Sequence, residues 1–241
     1  MLYDLICSKQ NKEKMVVLLF DPDKSDKDSL LITIEKAEKA GIDFFLMGGS
    51  LISKTVNDKI EIIKKATSKP VFLFPGNLLQ LCDQADGILL LSLISGRNPE
   101  FLIGNHVNAA QFLKNSKLEI IPTGYMLVDT GRRTSVEYMS NTMPIPANKP
   151  DIAIATAIAG EMLGLKLIYL EAGSGSDSFI NTHLIKEVKK NITIPLIVGG
   201  GIRSAANAKE IFDAGADVIV IGTAAEENPD SIDEIAGTKF D

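Results

Sequence analysis

Tryptophan is absent from this 241-residue chain, and histidine and cysteine occur only twice each. Cys7 and Cys82 share no metal-ligand or redox spacing, so they read as simple thiols of a reducing cytoplasm. With only His106 and His183, both on helical stretches, no histidine-rich metal centre can form; each is expected to be a surface or hydrogen-bonded group. No apolar run approaches the ~18 to 20 residues of a spanning helix. The N-terminal stretch also lacks a signal-peptide core, so no stable membrane insertion is expected. Basic charge is in deficit, 25 Lys and Arg against 31 Asp and Glu for a net charge of −6, which argues against a nucleic-acid partner. Any anionic ligand must then be held by local dipoles or a metal. Linkers and low-complexity tracts are missing too, so residues 1–241 read as one domain.

What is present is a rhythm. Eight short apolar runs, at 15–20, 44–47, 71–74, 87–93, 118–122, 167–171, 194–198 and 217–221, alternate with helical patterns. Most are apolar on both faces, as in a parallel sheet covered by helices. Leu30, Ile34 and Ala37 share one helix face, Val56, Ile60 and Ile63 another, and Ser204 is placed to cap a third helix carrying Ala208, Ile211 and Phe212. Eight strands in this length predict a single-domain α/β TIM barrel, (β/α)8, with room for one irregular or replaced helix. A doubly wound sheet is the competitor, but "GSGSDS" matches its nucleotide fingerprint only loosely and comes too late in the chain. An echo between "KAGIDFFLMGGS" and "DAGADVIVIGTA" marks strands two and eight. In a closed barrel these flank strand one, so Ser50 and Thr223 should emerge on either side of Asp21.

Active sites of such barrels lie at the carboxyl ends of the strands. Those ends carry Asp21, Ser50, Tyr125, Glu171, "VGGGIRS" (198–204) and "IGTAA" (221–225). Two glycine turns side by side at helix starts suit a phosphate; the plainer alternative is that the glycines only permit tight turns. Asp21 and Ser50 offer two hard oxygens suited to Mg²⁺, though a loop cap would also explain Asp21. Glu171 is either a general base, its pKa raised by an apolar surround, or a hydrogen-bond brace. Arg132 and Arg133 are either a diphosphate clamp or a solvated pair. Residues near "VFLF" and "LLLSLI" serve an apolar groove or, for the most part, the core. Two rival functions stay open: a phosphosugar isomerase or aldolase, for which Lys24 is the one rim lysine, and a non-catalytic phospholigand-binding barrel.

In order and spacing, "LFDPDK", "MGGS", "FPGN", "SLISGRNPEFLIG", "PTGYMLV", "YLEAGSG", "VGGGIRS" and "IGTAA" resemble the geranylgeranylglyceryl phosphate synthase family, which includes the bacterial heptaprenylglyceryl phosphate synthases. The resemblance covers nearly the whole chain. It implies a Mg²⁺-dependent prenyltransferase that joins sn-glycerol 1-phosphate to a polyprenyl diphosphate and works as a dimer or hexamer. "YLEAGSG" and "RNPEFLIGNH" look closer to the C20 branch than to the C35 branch. Carried over by motif, Asp21 and Ser50 would bind Mg²⁺. Glycerol phosphate would be bound by Tyr169, Leu170, Glu171, Ala172, Gly173, Ser174, Gly175, Gly200, Gly201, Gly222 and Thr223, with Glu171 taking the hydroxyl proton.

Overall fold

The apolar runs become strands because each carries one set of side chains for a barrel interior and another for a surrounding layer of helices. In the computed structural model, which describes residues 1–24 and 26–240, the strands are β1 (Met15–Phe20), β2 (Phe44–Met47), β3 (Val71–Leu73), β4 (Gly87–Leu93), β5 (Glu119–Leu127), β6 (Leu167–Glu171), β7 (Leu196–Gly199) and β8 (Val218–Ile221). They pair in sequence order, all parallel, and β8 closes on β1. The helices are α1 (Leu2–Lys9), α2 (Lys27–Lys39), α3 (Asn57–Ala66), α4 (Asn105–Asn115), α5 (Ser135–Ser140), α6 (Pro150–Met162), α7 (Thr182–Lys190), α8 (Ala205–Asp213), α9 (Thr223–Glu227) and α10 (Ser231–Gly237).

Strand alternation sorts the core into two layers. Met15, Val17, Phe44, Leu46, Tyr169 and Ile197 fill the interior, whereas Val16, Leu18, Phe45, Ile168 and Leu170 face the helices. The helix faces expected from periodicity are buried: Leu30, Ile34 and Ala37 on α2, Ile60 and Ile63 on α3, and Ala208, Ile211 and Phe212 on α8. Ser204 caps α8 by accepting from the Asn207 amide.

The Ala-Gly-x-Asp echo also has a physical reason at the amino-terminal rim. Asp43 accepts from the Val16 amide at 3.0 Å, and Asp217 from the Leu196 amide at 2.8 Å. Asp86, ahead of β4, does the same for Val71 at 2.9 Å. Each carboxylate precedes an even-numbered strand and satisfies an amide at the start of the strand before it.

Two features depart from the sequence-based expectation, and a third was allowed for. β5 runs to Leu127 instead of ending at Pro122. The Pro122 carbonyl accepts from the Lys166 amide, so its nitrogen also faces β6, just ahead of the first paired residues Thr123 and Leu167; little is lost by the missing donor. A leading helix, α1, plugs the base of the barrel. Leu2 and Ile6 join the interior core, and the Glu119 carboxylate accepts from the Leu2 and Tyr3 amides at 2.7 and 2.9 Å. Finally, the link from β3 to β4 holds only a 3₁₀ turn, Leu78–Gln80, where an α-helix would ordinarily cover the sheet. This is the replaced helix that the sequence left room for.

Candidate active site

The inward parity of the strands delivers the chemistry. Residues 15, 17 and 19 point inside on β1, so Asp21 continues that row at the carboxyl end; Leu167 and Tyr169 do the same for Glu171. Asp21, Ser50, Tyr169, Glu171, Ser174, Gly175, Gly200, Gly201, Gly222 and Thr223 all line one polar mouth at this end of the barrel. β1 lies between β2 and β8, so Ser50 and Thr223 flank Asp21 as expected.

Glu171 is 5% exposed. Its Oε1 accepts from the Gly173 amide at 2.6 Å, and the carboxylate also accepts from the hydroxyls of Tyr125 and Tyr169. Burial pushes the carboxyl up to about 7, against the opposite pull of those three donors. Burial, with the adjacent carboxylate, raises both phenols well above their ordinary value, so they remain protonated donors. The rings of Phe74, Tyr125 and Tyr169 pack with centroids 5.1 to 5.9 Å apart and form the floor beneath the acid. A carboxyl that titrates near neutrality, locked in orientation, can take a proton from a bound alcohol.

The triple glycine has a different need at each position. A Cβ on Gly199 would fall 2.1 Å from the Tyr169 hydroxyl oxygen. One on Gly200, at φ +84°, would lie 2.6 Å from Glu171 Oε1, and one on Gly201, at φ +69°, would lie 2.2 Å from the Ser178 carbonyl oxygen. The turn therefore leaves space for the acid and its tyrosine and also follows a left-handed path. Gly222 caps α9, whose first amides have no side-chain cap.

Leu170 and Ala172 are not in the mouth lining; both are wholly buried in the helix-facing layer, because alternation turns them away from Tyr169 and Glu171. Gly173 bonds Glu171 instead of facing the mouth, and a Cβ there would strike Thr134 at 2.2 Å. Asp23 turns to the loop after β2, where it accepts from the Ser53 and Lys54 amides at 2.6 and 2.9 Å. Arg132 is exposed and paired with Asp177.

Sequence reasoning missed the charges around Asp21. Lys24 Nζ lies 3.8 Å from Asp21 Oδ2 and 2.9 Å from Glu226, and Arg203 lines the mouth while pairing with Glu227 at 2.7 Å. Lys24 was visible as a rim lysine, but nothing local announced a carboxylate 202 positions away.

An apolar groove adjoins the mouth on the side of β4, where the β3–β4 link carries no α-helix. Ile88 and Leu90 of β4, Leu78 and Leu81 of the β3–β4 link, and Ala109 of α4 line it. Gly49, Ser50, Phe74, Tyr125 and Val136 line groove and mouth alike, so the two adjoin. Of "VFLF" only Phe74 lines the groove and of "LLLSLI" only Leu90, Leu91 and Leu93, so most of these residues are core, as expected. His106 is a half-buried, hydrogen-bonded group, as expected, with Nε2 3.1 Å from Ser92 Oγ; it lines the groove, and burial lowers its pKa.

Asp21 and Ser50 supply one carboxylate and one hydroxyl. Among the described residues no group of three or more His, Cys, Asp or Glu could hold a metal ion. This donor set fits a hard cation that draws most of its shell from water and substrate phosphate, not one caged by protein.

Fold and site together define a barrel that handles a small anion beside an apolar chain. Comparison with known proteins names the class: the PcrB family model matches residues 8–239, and the chain belongs to that family. Geranylgeranylglyceryl phosphate synthase of Spirosoma linguale is 50% identical over 229 residues, covering 95% of this chain and 92% of the relative. The enzyme of that name from Methanosphaera stadtmanae is 39% identical over 93% of this chain and 92% of its own length. The crystal structure of (S)-3-O-geranylgeranylglyceryl phosphate synthase from Thermoplasma acidophilum, in complex with its substrate sn-glycerol-1-phosphate, superposes with a TM-score of 0.94 at 33% identity, covering 99% of this chain and 98% of that one.

Proposed function

We propose that this chain is a geranylgeranylglyceryl phosphate synthase, which joins the C3 hydroxyl of sn-glycerol 1-phosphate to geranylgeranyl diphosphate. The observation that carries the reading is the union of two unlike spaces. A polar mouth with a buried, near-neutral carboxyl adjoins an apolar groove, and five residues line both spaces. A sugar phosphate needs no such groove, and a passive phosphate binder needs no such acid.

In this reading the phosphate of the acceptor lies against the glycine turns at Gly200, Gly201, Gly222 and Thr223, with Ser174 and Gly175 at its edge and Arg203 supplying charge. Turn amides and the uncapped start of a helix favour such a dianion in a protein of net negative charge. The C3 hydroxyl then meets Glu171. As the C3 oxygen forms its bond to C1 of the donor, the C1–oxygen bond to diphosphate breaks, and the hydroxyl proton passes to the Glu171 carboxylate. Tyr125 and Tyr169 hold that carboxylate in place. Asp21 and Ser50 would hold Mg²⁺, which when bound neutralises charge growing on the departing diphosphate. The isoprenoid tail lies in the groove between the β3–β4 link and α4.

Incubation with labelled sn-glycerol 1-phosphate and C15, C20 or C35 diphosphates, with and without Mg²⁺, tests all of this. The expected product is a metal-dependent ether lipid formed best from the C20 donor. A C35 preference would move the chain to the heptaprenyl branch, and failure to form an ether with any donor would reject the function.

A further inference from the structure

Gln80 is wholly buried, yet it sits in the short 3₁₀ turn where a barrel ordinarily places an apolar helix. Both polar atoms of its carboxamide are bonded. Oε1 accepts from the Gly49 amide and the Gly76 amide, each at 3.2 Å, while Nε2 donates to the Gly49 carbonyl at 2.6 Å. All three bonds go to main chain, on the two rim loops that follow β2 and β3.

Those loops meet backbone to backbone. A Cβ on Gly76 would fall 2.3 Å from the Gly49 carbonyl oxygen and 3.0 Å from Ser50 Cα; one on Gly48 would fall 2.0 Å from the Phe74 carbonyl oxygen. With side chains excluded from the contact, Gln80 is the side chain that ties the loops together beyond the last backbone bond, from the Phe74 amide to the Met47 carbonyl at 2.8 Å. Gly49, Ser50 and Phe74 are also where the polar mouth and the apolar groove join. Burying an amide is unfavourable unless every polar atom is bonded, so one used solely to tie these loops is there for geometry.

We infer that Gln80 is a positioning residue for the prenyl donor. It fixes the Ser50 oxygen against the Phe74 wall, so that the diphosphate in the mouth and the chain in the groove share one alignment at C1. This rests on the reading that the donor spans both spaces. Acceptor binding does not depend on it, because Gly200, Gly201, Gly222 and Thr223 follow β7 and β8, away from the β2 and β3 loops.

Gln80→Met keeps the bulk and removes the bonds; Gln80→Glu keeps the acceptor oxygen but sets a second one against the Gly49 carbonyl. The expected result for Met is a rise of at least about tenfold in donor KM with a fall in kcat of similar size, the scale of a misplaced reacting group. Calorimetric affinity for sn-glycerol 1-phosphate alone should stay within about twofold, and Glu should fall between Met and wild type. Should the Met variant not fold, the Glu variant decides by the same split. Wild-type donor kinetics in both variants would overturn the proposal, as would equal losses for donor and acceptor, which mark general disruption. A wild-type chain that binds glycerol phosphate but transfers no prenyl group overturns the underlying function instead, and the proposal with it.

Discussion

Gly199 and Tyr169 fit each other by exclusion: the phenol oxygen occupies the place that a methyl group on residue 199 would take, 2.1 Å from an ideal Cβ. They lie on the paired strands β6 and β7, Gly199 opposite Glu171 and Tyr169 opposite Ile197, one strand supplying the hydroxyl and the other the missing side chain. Gly199→Ala should therefore push the phenol off Glu171. We expect overpacking to cost about 1–3 kcal/mol, read as a lower thermal midpoint, and turnover to fall by more than tenfold.

Glu171 links pH to stability as well as to rate. Its folded-state pKa of about 7 exceeds the ordinary 4.5, so between those values the native state keeps a proton that the unfolded chain releases. Stability from this group must then fall as pH rises through that window. At roughly 1.4 kcal/mol per unit, the cost above pH 7 is on the order of 3 kcal/mol. Glu171→Gln should match wild type in denaturant unfolding near pH 4 and exceed it at pH 8. The same variant should lose activity about a hundredfold or more, and wild-type kcat/KM should rise with pH and level off above about 7. A flat unfolding difference across pH would mean that the carboxyl is not held near neutrality.

Asp21 faces Lys24 and, through it, Glu226. Asp21→Ala is expected to remove prenyl transfer by about a thousandfold, equivalent to the several kcal/mol that a bound cation supplies. Glycerol phosphate binding, measured by calorimetry, should persist. Normal turnover would take the cation-holding role from this residue.

Glu119 predicts a stability change far from the mouth. Glu119→Ala strips both acceptor bonds from the first amides of α1 and should cost about 1–3 kcal/mol in chemical denaturation, the range for bonds to a charged group. Turnover at 25 °C should be unchanged, since the carboxylate lies at the opposite end of the barrel.

The barrel and the row of mouth residues were legible because both follow from period-two alternation: once a strand is placed, parity alone sends Asp21 and Glu171 inward and Leu170 and Ala172 outward. Applied strictly, that rule gives the last two no side chain in the mouth and leaves them only main chain to offer a ligand. The Lys24–Glu226 pair and the Gln80 bridge were not legible, since each joins residues that only the closed sheet brings together. Pro122 misled for the opposite reason: its local effect is real, but the strand beside it begins one residue later. The glycine turn was read for what it exposes, although Gly199 is there for what it makes room for.

With α1 stoppering the base and one flank of the sheet uncovered, a long hydrocarbon has no need to thread the cylinder end-on. It can be laid in sideways, like a cable pressed into an open conduit, while its charged head settles at the top. In the proposed function, a tail laid there would load and unload by peeling, carbon by carbon, without dismantling any part of the wall around it.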